Sequence, residues 1–262
     1  MAPIEPVRVT SAPDYMQNVS LSGEFEPLQV RISHKSFPAL GGRDELTVLR
    51  NVSFDVAPRS FVVMTGPSGC GKSTLLNIIA GLDKDFEGTI KLGHGTPRLA
   101  FIFQAPRLLP WRTVKENIEL VLPTGDPRHA LVPEMLQRVG LEEAANAYPE
   151  RISLGMQRRA ALARGFILEP SILMMDEPFV SLDDPTAQSL RELLISLWNR
   201  RPVTVLFVTH DRTEAVMLGT RILRLAPGSA TIVQDETVAL STQDRTDRDK
   251  VLAEQKRIFR TE

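Results

Sequence analysis

The run GPSGCGKST at residues 66–74 dictates more of the fold than any other stretch of the chain. It follows FVVMT at 61–65, which is continuously apolar, and it opens KSTLLNIIAGL, which carries helical spacing and stops at Gly81. A strand without polar alternation is one buried on both faces, so a buried strand, a glycine loop and a helix follow one another directly. That setting is what confirms a G-x-x-x-x-G-K-[ST] pattern. With Gly near 7% of residues, chance would place the pattern in a chain of this length only on the order of one time in a hundred. The chemistry explains the residues. Gly66, Gly69 and Gly71 let the backbone turn N–H groups toward an anion with no Cβ in the way, and the helix adds its positive end. Pro67, Ser68 and Cys70 complete the cradle. Lys72 is placed to reach the β- and γ-phosphates of a nucleotide, Ser73 to hold Mg²⁺, and Thr74 to assist through its backbone and hydroxyl.

A second carboxylate site narrows the chemistry. ILMMDEP at 172–178 sets Asp176 at the end of another buried strand, where it can enter the Mg²⁺ coordination sphere opposite Ser73. Neighbouring residues at a strand end point differently, so Glu177 can face the γ-phosphate and orient the attacking water as general base. LAFIF at 99–103 and VTVLFVT at 203–209 repeat the buried-strand pattern with helical stretches between, which predicts an α/β fold with a mixed, mostly parallel core sheet. Earlier, LQVRIS from Leu28 and TVLRNVSFDV at 47–56 alternate as half-solvated antiparallel strands do, with Gly41-Gly42 in the loop between them. From 105 to about 163 the pattern is helical (VKENIELVL, ALVPEMLQRVG and the run from Ser153), which predicts a helical subdomain inserted between two sheet-forming halves.

Composition sets the outer limits. The 262 residues hold 31 Lys plus Arg against 32 Asp plus Glu, a balance that gives no reason to expect a nucleic-acid partner. A single cysteine, Cys70, rules out an internal disulfide framework and fits a reducing compartment. No stretch approaches the roughly 18 apolar residues of a membrane span, and residues 1–26 read as a flexible leader without a signal peptide's apolar run. The expected division is leader 1–26, ATPase domain 27–240, and a charged tail 241–262 forming one exposed helix.

In their order along the chain these motifs resemble the ATP-binding cassette (ABC) family, over about residues 28–235, and the family's fold carries an antiparallel β subdomain and a helical subdomain on the core sheet. The resemblance implies roles for further residues. Phe37 stands where the family has an aromatic ring stacking on adenine. Gln104 matches the glutamine that senses Mg²⁺ and the attacking water, in a loop that faces the membrane subunit. YPERISLGMQRRAALAR at 148–164 is similar to the family's signature segment, Ser181, Leu182 and Asp183 match the end of its D-loop, and His210 matches the switch histidine at the γ-phosphate. Ser153 and Gly155 open a helix whose N-terminus offers donors and a positive dipole to an anion, away from Lys72 of the same chain. They are therefore expected to serve the nucleotide of a second copy, in a twofold dimer with ATP between the chains.

One position departs from the L-S-G-G-Q pattern in kind. Leu154 replaces a glycine, which adds a side chain near the γ-phosphate and disfavours positive φ, so a slower ATPase is expected unless the backbone there is ordinary helix. His34, His94 and His129 lack metal-ligand spacing and read as surface or turn residues. Arg158, Arg159 and Arg164 read as a solvated or salt-bridged helix face. Trp111 reads as a core or loop anchor, or as part of a surface receiving a partner's helix.

The segment FQAPRLLPWRTVKENI resembles the nitrate, sulfonate and taurine branch of bacterial importer ATPases. That implies transmembrane permease subunits as partners, a periplasmic solute-binding protein acting indirectly, and a peripheral position on the cytoplasmic face of the inner membrane. A lipid-trafficking or export system, or a soluble cassette ATPase outside transport, shares nearly all of these residues.

Overall fold

The computed structural model describes residues 26–38, 45–93, 97–228 and 231–260; the leader to residue 25, the Gly41-Gly42 loop and His94 lie outside the described residues. Two sheets form. In the smaller, β1 (Leu28–Phe37) is the central strand, antiparallel to β2 (Leu46–Val56) and to β4 (Glu87–Lys91). Its alternation buries Leu28, Val30 and Ile32 on one face, with Val30 opposite Phe54 on one side and Ile90 on the other.

The larger sheet has six strands: β3 (Phe61–Thr65), β5 (Leu99–Ile102), β6 (Ile172–Asp176), β7 (Thr204–Val208), β8 (Arg221–Leu225) and β9 (Ile232–Thr237). Their order is β5-β6-β7-β3-β8-β9, parallel throughout except for the β8–β9 pair. The continuous apolar strands have the predicted consequence: all of β3 and β7 is buried. Val62, Met64, Met174, Leu206 and Val208 face a core shared with α1 (Lys72–Ile79) and with Val30, Val52 and Phe54 of the small sheet. Phe61, Val63, Leu173, Met175, Val205 and Phe207 face the opposite core, built against α4 (Leu154–Ile167), α5 (Asp184–Arg200) and α6 (Arg212–Leu218).

Between β5 and β6 the chain is helical. It contains α2 (Val114–Glu119), α3 (Val132–Arg138) and α4, with 3-10 turns at Pro127–Leu131 and Pro149–Arg151. Thr113 caps α2 in a capping box: its hydroxyl accepts from the Glu116 N–H, and the Glu116 carboxylate accepts from the Thr113 N–H at 2.8 Å.

Two features differ from the sequence reading. Strands β4, β8 and β9 were not foreseen, because EGTIK is mostly exposed and the other two carry charged residues that break the apolar pattern. The tail does form a helix, α7 (Arg248–Ile258), but it is not an exposed one. Val251, Ile258 and Phe259 enter the main core, Gln234 donates to the Ile258 carbonyl at 2.6 Å, and buried Glu254 accepts from the Ala239 N–H at 2.7 Å. Apart from Glu254, the charges that suggested solvation line the outer side of α7, where Leu252 is 38% exposed. Among the described residues no helix is long and apolar enough to cross a membrane.

Truncating the core contact should therefore destabilise the whole fold. In urea denaturation, Ile258→Ala is expected to lower stability by about 2–5 kcal/mol, and Leu252→Ala by less than about 1 kcal/mol. Equal small effects would show that α7 is not part of the core.

Candidate nucleotide site

Strands β6, β7 and β3 are parallel neighbours, so the loops that leave their C-terminal ends open at one edge of the sheet, the place where α/β folds hold ligands. The cradle is fixed by close approach. A Cβ at Gly66 would stand 2.8 Å from the Leu225 carbonyl oxygen, and one at Gly71 would stand 2.9 Å from both Leu49 and Val48 side chains. Gly71, at φ 106°, precedes α1, and no side chain caps the helix, so its first N–H groups remain for an anion. Cys70 contributes backbone only: its side chain is buried in the core beneath the loop, and its N–H donates to the Pro67 carbonyl at 3.3 Å.

Lys72 is buried and donates to the carbonyls of Gly66 (2.8 Å) and Pro67 (2.9 Å), spanning the loop. The Ser73 hydroxyl donates to Asp176 Oδ1 at 3.0 Å. Burial pushes the Asp176 carboxyl upward, Glu177 adds to the effect, and the Ser73 hydroxyl and Lys72 charge oppose it. Next to it, Glu177 takes φ 44° and donates its N–H to the Val208 carbonyl at 3.0 Å, while its carboxylate lies 3.2 Å from His210 Nδ1. The structure thus brings Lys72, Ser73, Asp176, Glu177 and His210 to one edge. Gln104 lies exposed just beyond β5.

Ser153 and Gly155 lie elsewhere, at the tip of α4. The Ser153 hydroxyl caps the helix by accepting from the Met156 N–H at 3.2 Å. Leu154 is the first helical residue and does not have positive φ, so the backbone strain that its side chain threatened does not arise. A Cβ at Gly155 would lie 2.8 Å from Thr186 Cγ2. Thr186 belongs to the first turn of α5, which Asp183 caps by accepting from the Thr186 N–H at 3.1 Å; these bonds hold the Asp183 carboxyl below its ordinary range. The two helix tips thus meet so closely that a Cβ at position 155 would require the Thr186 methyl to shift. Among the described residues, no hydrogen bond or ion pair joins Ser153, Leu154 or Gly155 to residues 66–74. Phe37 is 40% exposed, and its ring lies under the Lys35 ammonium, 4.7 Å from the centroid.

The arginines of α4 are not the solvated face expected of them. Arg158 is 7% exposed and donates to the carbonyls of Gln104, Pro178 and Val180. Arg164 donates to those of Pro106 and Arg107, and Arg159 to that of Val139 and to the Ser189 hydroxyl. Asn117 was also missed. It is fully buried on α2 and ties the 109–113 turn through the carbonyls of Leu109, Arg112 and Thr113 and the N–H of Leu109. An amide between Val114 and Ile118, on the apolar side of a short helix, was the available signal. Trp111 is 70% exposed and so anchors no core.

The family model described as ABC transporter matches residues 49–180. The chain belongs to the ABC transporter family. It is similar to the aliphatic sulfonates import ATP-binding protein SsuB 1 of Streptomyces avermitilis, at 44% identity over 205 residues that span 78% of this chain and 74% of the relative. The SsuB of Bacillus subtilis is 41% identical over 207 residues, spanning 76% and 80%. Among solved structures, the dimeric ATP-binding cassette MJ0796 in a post-hydrolysis state with ADP and Pi is 31% identical, with a TM-score of 0.69, over 82% of this chain and 100% of that one. As an ATP-binding subunit of this family the chain is an ATPase, and the ABC fold accounts for both sheets and the helices between β5 and β6.

The contact between Gly155 and Thr186 can be tested by a double-mutant cycle in chemical denaturation. Gly155→Ala should destabilise, Thr186→Ser should relieve the clash, and the coupling between them should be about 1–2 kcal/mol. Coupling near zero would show that the tips do not pack as described.

Proposed function

We propose that this chain is the motor of an importer for a small sulfonate-like anion, working as a homodimer against permease subunits on the cytoplasmic face of the cell membrane. The relatives' descriptions as sulfonate import proteins support import over the export, lipid-trafficking and non-transport alternatives. A periplasmic binding protein would then select the solute.

The observation that carries the catalytic reading is the Ser73–Asp176–Glu177–His210 group at the mouth of the glycine cradle. The Ser73 hydroxyl and Asp176 carboxylate form an oxygen donor set suited to a hard cation, and Mg²⁺ held there would neutralise charge on the β- and γ-phosphates. The N–H groups of 66–74 and the α1 terminus bind the phosphates, and Lys72 exchanges its two loop carbonyls for phosphate oxygens. Glu177 orients the attacking water and takes its proton. His210 fixes the Glu177 carboxylate and faces the γ-phosphate. Gln104 would contact the metal, were it bound, and the attacking water, and Phe37 would present its exposed ring to adenine. Ser153 and Gly155, with Asp183 at the neighbouring tip, close the site from the second copy. The separation of these tips from residues 66–74 within one chain supports that division of labour.

Glu177→Gln should lower turnover by about 10²–10⁴-fold while ATP still binds and an ATP-bound dimer accumulates in size-exclusion chromatography. Turnover within a few-fold of the parent would remove Glu177 from the mechanism. Because α4 begins with ordinary helical backbone, Leu154→Gly is expected to change turnover by less than about threefold. A tenfold gain would show that the leucine side chain obstructs the site.

A further inference from the structure

Arg158 is a buried cation whose described hydrogen bonds all run to main-chain oxygens: Gln104 at 3.0 Å, Val180 at 2.7 Å, and Pro178. Burial lowers the pKa of its guanidinium, and among the described residues no carboxylate forms an ion pair with it. An apolar side chain here would leave those main-chain oxygens without their donor, so Arg158 holds the segments that carry them in place. The three acceptors share something else. Pro178 follows Glu177, Val180 precedes Ser181, and both Glu177 (φ 44°) and Ser181 (φ 62°) hold left-handed backbone that non-glycine residues keep only where their surroundings over-determine it. The Val180 N–H closes the same turn by donating to the Glu177 carbonyl at 3.3 Å. The third acceptor is the carbonyl of Gln104. Arg158 itself rides on α4, the helix whose tip is Ser153.

We propose that Arg158 is a positioning residue for ATP hydrolysis, tying the turn that presents Glu177 and the strand end that presents Gln104 to the α4 helix. One planar, forked donor set on α4 reaches two further segments, the turn at 178–180 and the strand end at Gln104, so any shift of α4 as its tip engages the second copy's nucleotide is passed to both residues. This inference rests on the roles proposed above for Glu177 and Gln104. It predicts an effect on the chemical step and none on nucleotide capture, since no Arg158 contact reaches residues 66–74.

The test is steady-state ATPase kinetics of the full chain with Mg²⁺ and ATP. Assayed well below the variant's Tm, Arg158→Met should lower kcat by about 10–100-fold, with KM for ATP within about threefold. Arg158→Lys, which keeps a charged donor, should recover part of that loss. Turnover of Arg158→Met within twofold of the parent, a joint change of kcat and KM, or a lysine variant no better than methionine would overturn the proposal. If Arg158→Met does not fold, Arg158→Gln replaces it under the same criteria. Glu177→Gln in the same assay separates the two claims. If it still turns over, the reading of the site fails; if it is inactive while Arg158→Met is unaffected, only the role of Arg158 fails.

Discussion

The hydrogen bond from Ser73 to Asp176 at 3.0 Å joins the start of α1 to the end of β6, across a sheet in which β7 separates β6 from β3. Everything else at the nucleotide edge is arranged around that link. The glycine cradle fixes where Ser73 begins, because Gly66 and Gly71 approach neighbouring strands too closely for any Cβ. Burial at the end of β6 pushes the Asp176 carboxyl upward, against the Ser73 hydrogen bond and the Lys72 charge. Glu177 follows with left-handed backbone and its carboxylate beside His210. Backbone of this kind survives only where the surrounding contacts enforce it, and here β7, through the Val208 carbonyl, and α4, through Arg158, supply those contacts.

Much of this architecture was legible in the sequence where a physical signal was unambiguous. FVVMT, ILMMD and VTVLFV are apolar without alternation because both of their faces are covered, and they formed the centre of the six-stranded sheet. The glycine loop announced its own conformation through residues that tolerate positive φ. Strands β4 and β9 left no such trace, since an exposed or edge strand need not be apolar, and β8, inside the sheet, is interrupted by Arg221 and Arg224. The tail misled for a related reason. A helix carrying many charges buries itself through a few well-placed residues, here Val251, Ile258 and Phe259, and average polarity hides them.

The arginines of α4 show a limit of a different kind. A run such as QRRAALAR reads as a charged face because its acceptors, the carbonyls of Gln104, Pro106, Pro178 and Val180, belong to loops whose path only the fold defines. Leu154 ran the other way. Its threat to the backbone depended on a conformation that the structure does not use.

That meeting is the central claim: a triphosphate clasped between the 66–74 loop of one copy and the α4 tip of the next. Cysteines introduced at Ser68 and Leu154, both exposed, test it most directly, since the native Cys70 thiol is buried and will not compete. In a Glu177→Gln background, mild oxidation should yield a covalent dimer with Mg²⁺ and ATP present and little without nucleotide. Absence of cross-linked dimer with ATP, or an equal yield in its absence, would contradict the account.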